Sequence, residues 1–145
     1  MTVSATMQYP DWHSDFSVGQ PELDEQHIVL LELGRQLLFA LESGTQSDLH
    51  LQDILRDLVG LAAHHDRTEE AILAANGYPD LAAHQAAHAA TQARLDALLR
   101  RSQTGELNRG ELAKEITTWL DHLFEEIREP VREFLKDPHT EALPG

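Results

Sequence analysis

The stretch ILRDLVGLAAHHDRTEEAIL, residues 54–73, decides the fold. Ile54, Leu58, Leu61, Ala62, Ile72 and Leu73 recur at the spacing of one helical face. His65 and Glu69 fall inside that apolar stripe. They are four residues apart, so both side chains project from the same face and can reach one centre. A helix core that carries an imidazole and a carboxylate needs a reason, because burying such groups without partners costs several kcal/mol each.

The pattern extends outward on both sides. Ser47 or Asp48 can cap the start of this helix and Asn76-Gly77 stops it, which predicts a helix from Ser47 to Ala75. Before it, Leu23, Leu30, Leu37, Leu38 and Leu41 form a stripe over Glu22 to Leu41 that ends at Ser43-Gly44, with His27 in its middle. After it, a third helix runs from near Pro79-Asp80 to Gly105, with His84 and His88 on the side of Leu81, Leu95 and Leu99. A fourth starts near Asn108 and reaches about Lys136, with Ile116, Trp119, Leu123 and Ile127 inward and His122 and Glu126 on one flank. Pro130 should kink or break it, because proline lacks the backbone donor.

Residues 1–20 read as an irregular arm in which Trp12, Phe16 and Val18 can pack down, and 137–145 as a loose tail. The expectation is one all-α domain: an up-down-up-down four-helix bundle over 22–136 with an N-terminal arm.

Composition narrows the function. The 145 residues suit one core of ordinary size. There is no cysteine, which excludes disulfides, thiolate metal sites and a cysteine nucleophile. The net charge of −14 argues against nucleic acid. No apolar run approaches the roughly 18 residues that span a bilayer, and the N-terminal residues do not resemble a signal peptide. A soluble cytoplasmic protein without membrane or nucleic-acid partners is expected.

The nine histidines divide into two sets. A single imidazole on an apolar stripe is ordinarily a satisfied core residue. Here His27, His65, His84, His88 and His122, with Glu69 and Glu126, are expected to face one interior from four helices. Left unpartnered, these groups would overwhelm a domain stability of about 5–15 kcal/mol. They need one another and positive charge between them. Imidazole suits iron, copper, nickel or zinc rather than magnesium or calcium, and bridging carboxylates suit a pair of iron ions. His13, His50, His64 and His139 lie in the arm, at a helix start, on an outer face or the bundle edge, and in the tail, and are read as solvated or locally bonded. Asp66, about 100° round from His65, is also expected to point outward.

Several segments together resemble the hemerythrins, above all the bacterial ones. They are Trp12 with Phe16-Ser17-Val18-Gly19, Leu23-Asp24-Glu25-Gln26-His27, His65-Asp66-Arg67-Thr68-Glu69-Glu70, and Tyr78-Pro79 followed by His84 and His88. The resemblance implies that His84, His88 and His122 bind one iron, that His27 and His65 bind the other, and that Glu69 bridges. It further implies two iron ions (Fe2+/Fe3+) joined by an oxo or hydroxo group. Dioxygen would bind reversibly at the iron with fewer protein ligands.

The last helix departs from the family pattern. The family's aspartate comes five residues after the histidine, but position 127 here is Ile. His122-Leu123-Phe124-Glu125-Glu126 resembles the broader HHE cation-binding branch, and Glu126 is expected as the second bridge in preference to Glu125. Asp66 and Leu73 replace the usual aromatic and Met. Leu31, Leu73, Trp119 and Leu123 are the expected apolar wall of an oxygen pocket. The expected function is a non-enzymatic oxygen carrier, store or sensor. The alternatives are a di-iron redox enzyme of ferroxidase or peroxidase type, an iron-binding or sensing module, and a metal-free helical interaction domain.

Overall fold

Four long helices follow one another: α1 (Pro21–Ser43), α2 (Asp48–Ala75), α3 (Leu81–Gln103) and α4 (Arg109–Arg128), then a short α5 (Val131–Lys136). The computed structural model describes residues 12–128 and 131–136, and among these there is no strand. The links at 44–47, 76–80 and 104–108 are short, so consecutive helices run antiparallel as an up-down-up-down bundle.

Local chemistry sets the boundaries. Pro21 occupies the first turn of α1, where its missing N–H costs nothing. The Ser47 hydroxyl accepts from His50 N at 3.1 Å and starts α2. Asn108 Oδ1 accepts from Glu111 N at 2.6 Å at the head of α4. Gly44 (φ +68°) and Gly77 (φ +72°) follow α1 and α2 in the left-handed region that closes a helix cheaply only with glycine.

The apolar interior has two parts. The larger includes Leu30, Leu37, Leu38, Leu55, Leu58, Ala62, Ile116, Leu120 and Leu123. The smaller joins Val18, Leu23, Leu73 and Tyr78 to Val131, Phe134 and Leu135 of α5. His27 lies between Leu23 and Leu30 on α1, His65 and Glu69 lie between Ala62 and Leu73 on α2, and Glu126 lies between Leu123 and Val131. The polar side chains therefore form a layer between two apolar clusters, with dry packing above and below.

Helix spacing is uneven. At Gly34 a Cβ would stand 2.8 Å from Leu120 Cδ2, so α1 and α4 approach tightly there. By contrast α3 packs on α2 and makes little contact with α4. Arg94–Glu115 (3.0 Å) and Arg101–Glu111 tie α3 to α4 away from the polar layer. Beside the polar layer the two helices leave a gap.

The described part of the arm, with a 3-10 turn at Ser14–Phe16, is fastened by named bonds. Ser17 Oγ donates to Asp24 Oδ2 (2.6 Å) and Val18 N to Asp24 Oδ1 (2.9 Å). Arg132 donates to the carbonyls of Ser17 (3.2 Å) and Asp15 (2.6 Å). Phe16 packs edge-on to Phe124 at 5.8 Å, and Val18 is buried as the sequence suggests.

The segment expected as one helix to Lys136 is two, α4 and α5, and Pro130 lies outside the described residues. Residues 1–11 and the tail with His139 lie outside them too.

Candidate metal centre

Two groups of donors meet inside the bundle and share one residue. His27, His65 and Glu69 form the first; Glu69, His84, His88 and Glu126 form the second. Each helix contributes: His27 from α1, His65 and Glu69 from α2, His84 and His88 from α3, Glu126 from α4. The four-residue spacings place His65 above Glu69 and His84 above His88, whose rings are 4.2 Å apart between centroids.

The first group is dry. His27 and His65 are each 1% exposed, and their rings are 4.6 Å apart. Both ring nitrogens of His27 and Nε2 of His65 are buried without a hydrogen-bond partner. A chain of bonds fixes the proton of His65. The Thr68 hydroxyl donates to the His64 carbonyl (3.0 Å), so its oxygen accepts from Gln26 Nε2 (3.2 Å). That turns the Gln26 oxygen toward His65 Nδ1 at 2.8 Å, and Nδ1 carries the proton. The Nε2 lone pair of His65 then stands 3.4 Å from Glu69 Oε2. A lone pair facing a carboxylate is repulsive unless a proton or a metal cation sits between them. In the metal-free chain Glu69 favours a proton in that place. Burial opposes it, but Glu69 outweighs burial and the His65 pKa is raised. At His27 burial, followed by the neighbouring His65, outweighs the pull of Glu126 and Asp24 and lowers it to about 4.

The second group is clasped by carboxylates. Glu69 Oε1 accepts from His84 Nε2, and Glu126 Oε1 accepts from His88 Nε2 while lying 3.2 Å from His84 Nε2. Against the cost of burial, Glu126 and Glu69 raise His84 to about 10, and Glu126 raises His88 to about 9. Burial also acts on Glu126, but His84 and His88 hold it well below the usual carboxylate range. On the far side, His88 Nδ1 lies 3.3 Å from Glu70 Oε2, a contact that orients the ring.

A cavity of about 240 Å³ opens beside this group in the gap between α3 and α4. Trp119 and Leu123 line it, with Leu30, Leu95, Tyr78 and Val131. Leu31 and Leu73, expected on the wall, do not line it; they are fully buried in the two apolar clusters. Tyr78 stacks edge-on to His84 at 6.2 Å.

Two more residues sit elsewhere than the helical wheel suggests. Asp66 is not outward: its side chain is 18% exposed, lines the cavity, and has Oδ1 3.6 Å from His88 Nε2. The wheel centred the interior on His65, but α2 packs on α1 on one side and α3 on the other, so a residue 100° round from His65 faces α3. Burial raises the Asp66 carboxyl to about 7. His122 is on the rim of the cavity with a side chain 60% exposed, 3.9 Å from Glu125, and the structure does not bring it into either group. Glu125 is also at the rim, 79% exposed. His13, His50 and His64 are exposed, as expected.

Sequence reading passed over Gln26, Thr68 and Glu70. Their signal was adjacency: Gln26 precedes a ligand-type His, and Thr68 and Glu70 flank Glu69.

The donor set fits a metal pair. It offers four imidazoles and two carboxylates with no sulfur, one carboxylate common to both groups, and buried nitrogens that nothing else satisfies. Fold and site together define a helical bundle with a His/carboxylate metal centre at its core. Residues 18–135 match the hemerythrin HHE cation binding domain, and the chain belongs to that family, whose metal is typically iron. It is also similar to the bacteriohemerythrin of Stenotrophomonas maltophilia (strain R551-3), being 28% identical over 109 residues, 75% of this chain and 70% of that one. No helix among the described residues is long and apolar enough to cross a membrane.

Proposed function

We propose that the chain holds two iron ions in the polar layer and binds dioxygen reversibly beside them. One observation carries the reading: a single carboxylate, Glu69, is common to two donor groups, one of which has buried imidazole nitrogens with no other partner. His27, His65 and Glu69 would hold one ion; His84, His88, Glu126 and Glu69 would hold the other. When bound, the ion pair supplies the electrons and the open coordination position that dioxygen needs.

The chain's own residues do the rest. Gln26, itself held by Thr68, keeps the His65 proton on Nδ1 and so leaves Nε2 free as a donor. Glu70, also on α2, holds His88 by Nδ1 in the same way. Leu30, Leu95, Trp119 and Leu123 exclude water from the inner cavity. The gap between α3 and α4 admits a small ligand.

The test is an oxygen cycle on anaerobically reconstituted protein. The reading expects about two irons per chain and a visible absorption that appears in air and fades when oxygen is removed. A second reading, a di-iron redox enzyme, draws support from Asp66 and Glu125 at the open side, which make the cavity wetter. It expects a single oxidation without the reversible absorption.

A further inference from the structure

The donors in the polar layer are closed off on most sides. His27 and His65 are each 1% exposed where α1 meets α2. α1 and α4 approach so tightly at Gly34 that a Cβ there would stand 2.8 Å from Leu120. Along the bundle axis an apolar cluster lies on either side of the layer. A divalent ion crossing such packing would shed its water without gaining a partner, which is costly. Among the described residues, the gap between α3 and α4 is the opening that reaches the donors.

That gap serves both donor groups. Its cavity of about 240 Å³ is bordered by His84, His88 and Glu126 of the second group and by His65 of the first. His65 is the residue whose Nε2 is buried without a hydrogen-bond partner. The cavity volume is several times the roughly 30 Å³ share of one water, so an ion can pass with waters still bound.

The mouth has a chemistry of its own. Thr91, His122 and Glu125 border the cavity, and no described Lys or Arg does. His122 and Glu125 are 60% and 79% exposed and 3.9 Å apart. Arg94, in the adjoining hollow, is paired with Glu115 at 3.0 Å. Deeper in, imidazoles and carboxylates offset one another, with His65, His84 and His88 facing Glu69, Glu126 and Asp66. Glu125 adds a carboxylate at the entrance, where it attracts an approaching cation.

We infer that both metal ions enter and leave the centre by one passage between α3 and α4, past Thr91, His122 and Glu125. The inference rests on the two-iron reading above and adds the route by which the centre fills. A barrier in a passage is crossed in both directions. Narrowing it therefore slows uptake and release by one factor and leaves the final occupancy unchanged. Loss of a ligand would instead speed release.

The experiment follows anaerobic uptake of ferrous iron by the metal-free full chain after rapid mixing, with free iron trapped by a chromogenic chelator at set times. Release into chelator is followed on the loaded chain. Thr91→Phe narrows the mouth, and the Thr91 hydroxyl bonds only the Ala87 carbonyl of its own helix, so the fold should stand. It is expected to slow uptake and release of both irons by a common factor of roughly 10 and still reach wild-type occupancy. Glu125→Lys reverses the charge at the entrance. It should slow uptake roughly 10-fold at low ionic strength and little at high ionic strength. Val29→Phe adds the same bulk to the outer face of α1, where Val29 is 48% exposed, and should load at the wild-type rate. Helical circular dichroism of each metal-free variant is the fold control. Wild-type rates in both Thr91→Phe and Glu125→Lys overturn the inference. So does a delay in Thr91→Phe confined to one iron, or one accompanied by faster release. An equal delay in Val29→Phe overturns it as well. A wild-type chain that takes up no iron removes the two-iron reading itself, a result distinct from these.

Discussion

His27 and His65 lie on one side of Glu69 and His84 and His88 on the other, and the same side chain lives under opposite conditions in the two places. The α1–α2 side is closed: both imidazoles are 1% exposed and three of their four ring nitrogens have no hydrogen-bond partner. The α3–α4 side is open: its imidazoles are clasped by Glu69, Glu126 and Glu70 and border a cavity. On the closed side His27 depends on metal to satisfy it. The open side can satisfy itself with protons. Helix spacing produces the contrast, since α1 packs closely on α2 and α4 while α3 stands away from α4.

Glu69 joins the two sides, so its loss has the largest expected effect. Glu69→Ala is expected to lose both irons, and metal analysis per chain checks this. The melting midpoint of that variant should then match wild type stripped by chelator. For the wild type, a metal present at about 1,000 times its dissociation constant contributes about 4 kcal/mol. Next comes Glu126→Ala, which should lose the open-side iron, whereas Glu125→Ala should keep it, because Glu125 is 79% exposed and touches neither α3 imidazole. The reverse order would reassign the carboxylate from α4.

Removing one imidazole from the metal-free chain separates the two sides with opposite signs. His27→Leu deletes two buried unpaired nitrogens and should stabilise the metal-free protein by about 1–3 kcal/mol. His88→Leu takes one imidazole partner from Glu126, leaving His84, and removes the His88 contact of Glu70, and should destabilise it by a similar amount. Denaturant melts in the presence of chelator measure both. Two variants that shift the same way would end the contrast.

The smallest effect is the pH dependence of the metal-free chain. His84 and His88 have folded pKa values near 10 and 9, above their ordinary 6.5. The stability they contribute is complete below about pH 6.5 and is lost as pH rises through 9 and 10. His27, lowered to about 4, acts at the other end: its contribution is lost as pH falls from 6.5 toward 4. Asp66, raised to about 7, costs stability as pH rises from its ordinary 3.8 to 7. The melting midpoint of the metal-free chain should therefore decline from pH 7 to pH 10. The iron-loaded chain should not follow it, because ligating imidazoles are already neutral.

Much of the fold was legible in particular residues. Leucine stripes at helical spacing located α1 and α2, and Ser47, Asn76-Gly77 and Ser43-Gly44 placed their ends within a residue or two. His27, His65, Glu69, His84 and His88 were legible because each is a polar residue on an otherwise apolar face. Asp66 was not, since a wheel drawn on one helix has a single interior direction while α2 packs against two neighbours. His122 was expected inside because its spacing to Glu126 matches that of the other pairs. Spacing does not record how far α4 stands from α3. Leu31 and Leu73, expected on the pocket wall as apolar residues, are each buried in an apolar cluster instead.

The most direct test of the central claim, that one carboxylate joins two donor groups into a two-iron site, is an anaerobic titration of the metal-free chain with ferrous iron, followed by metal analysis after desalting. The account predicts saturation at about two irons per chain, with both lost together in Glu69→Ala. Saturation at one iron, or two irons retained without Glu69, would contradict it.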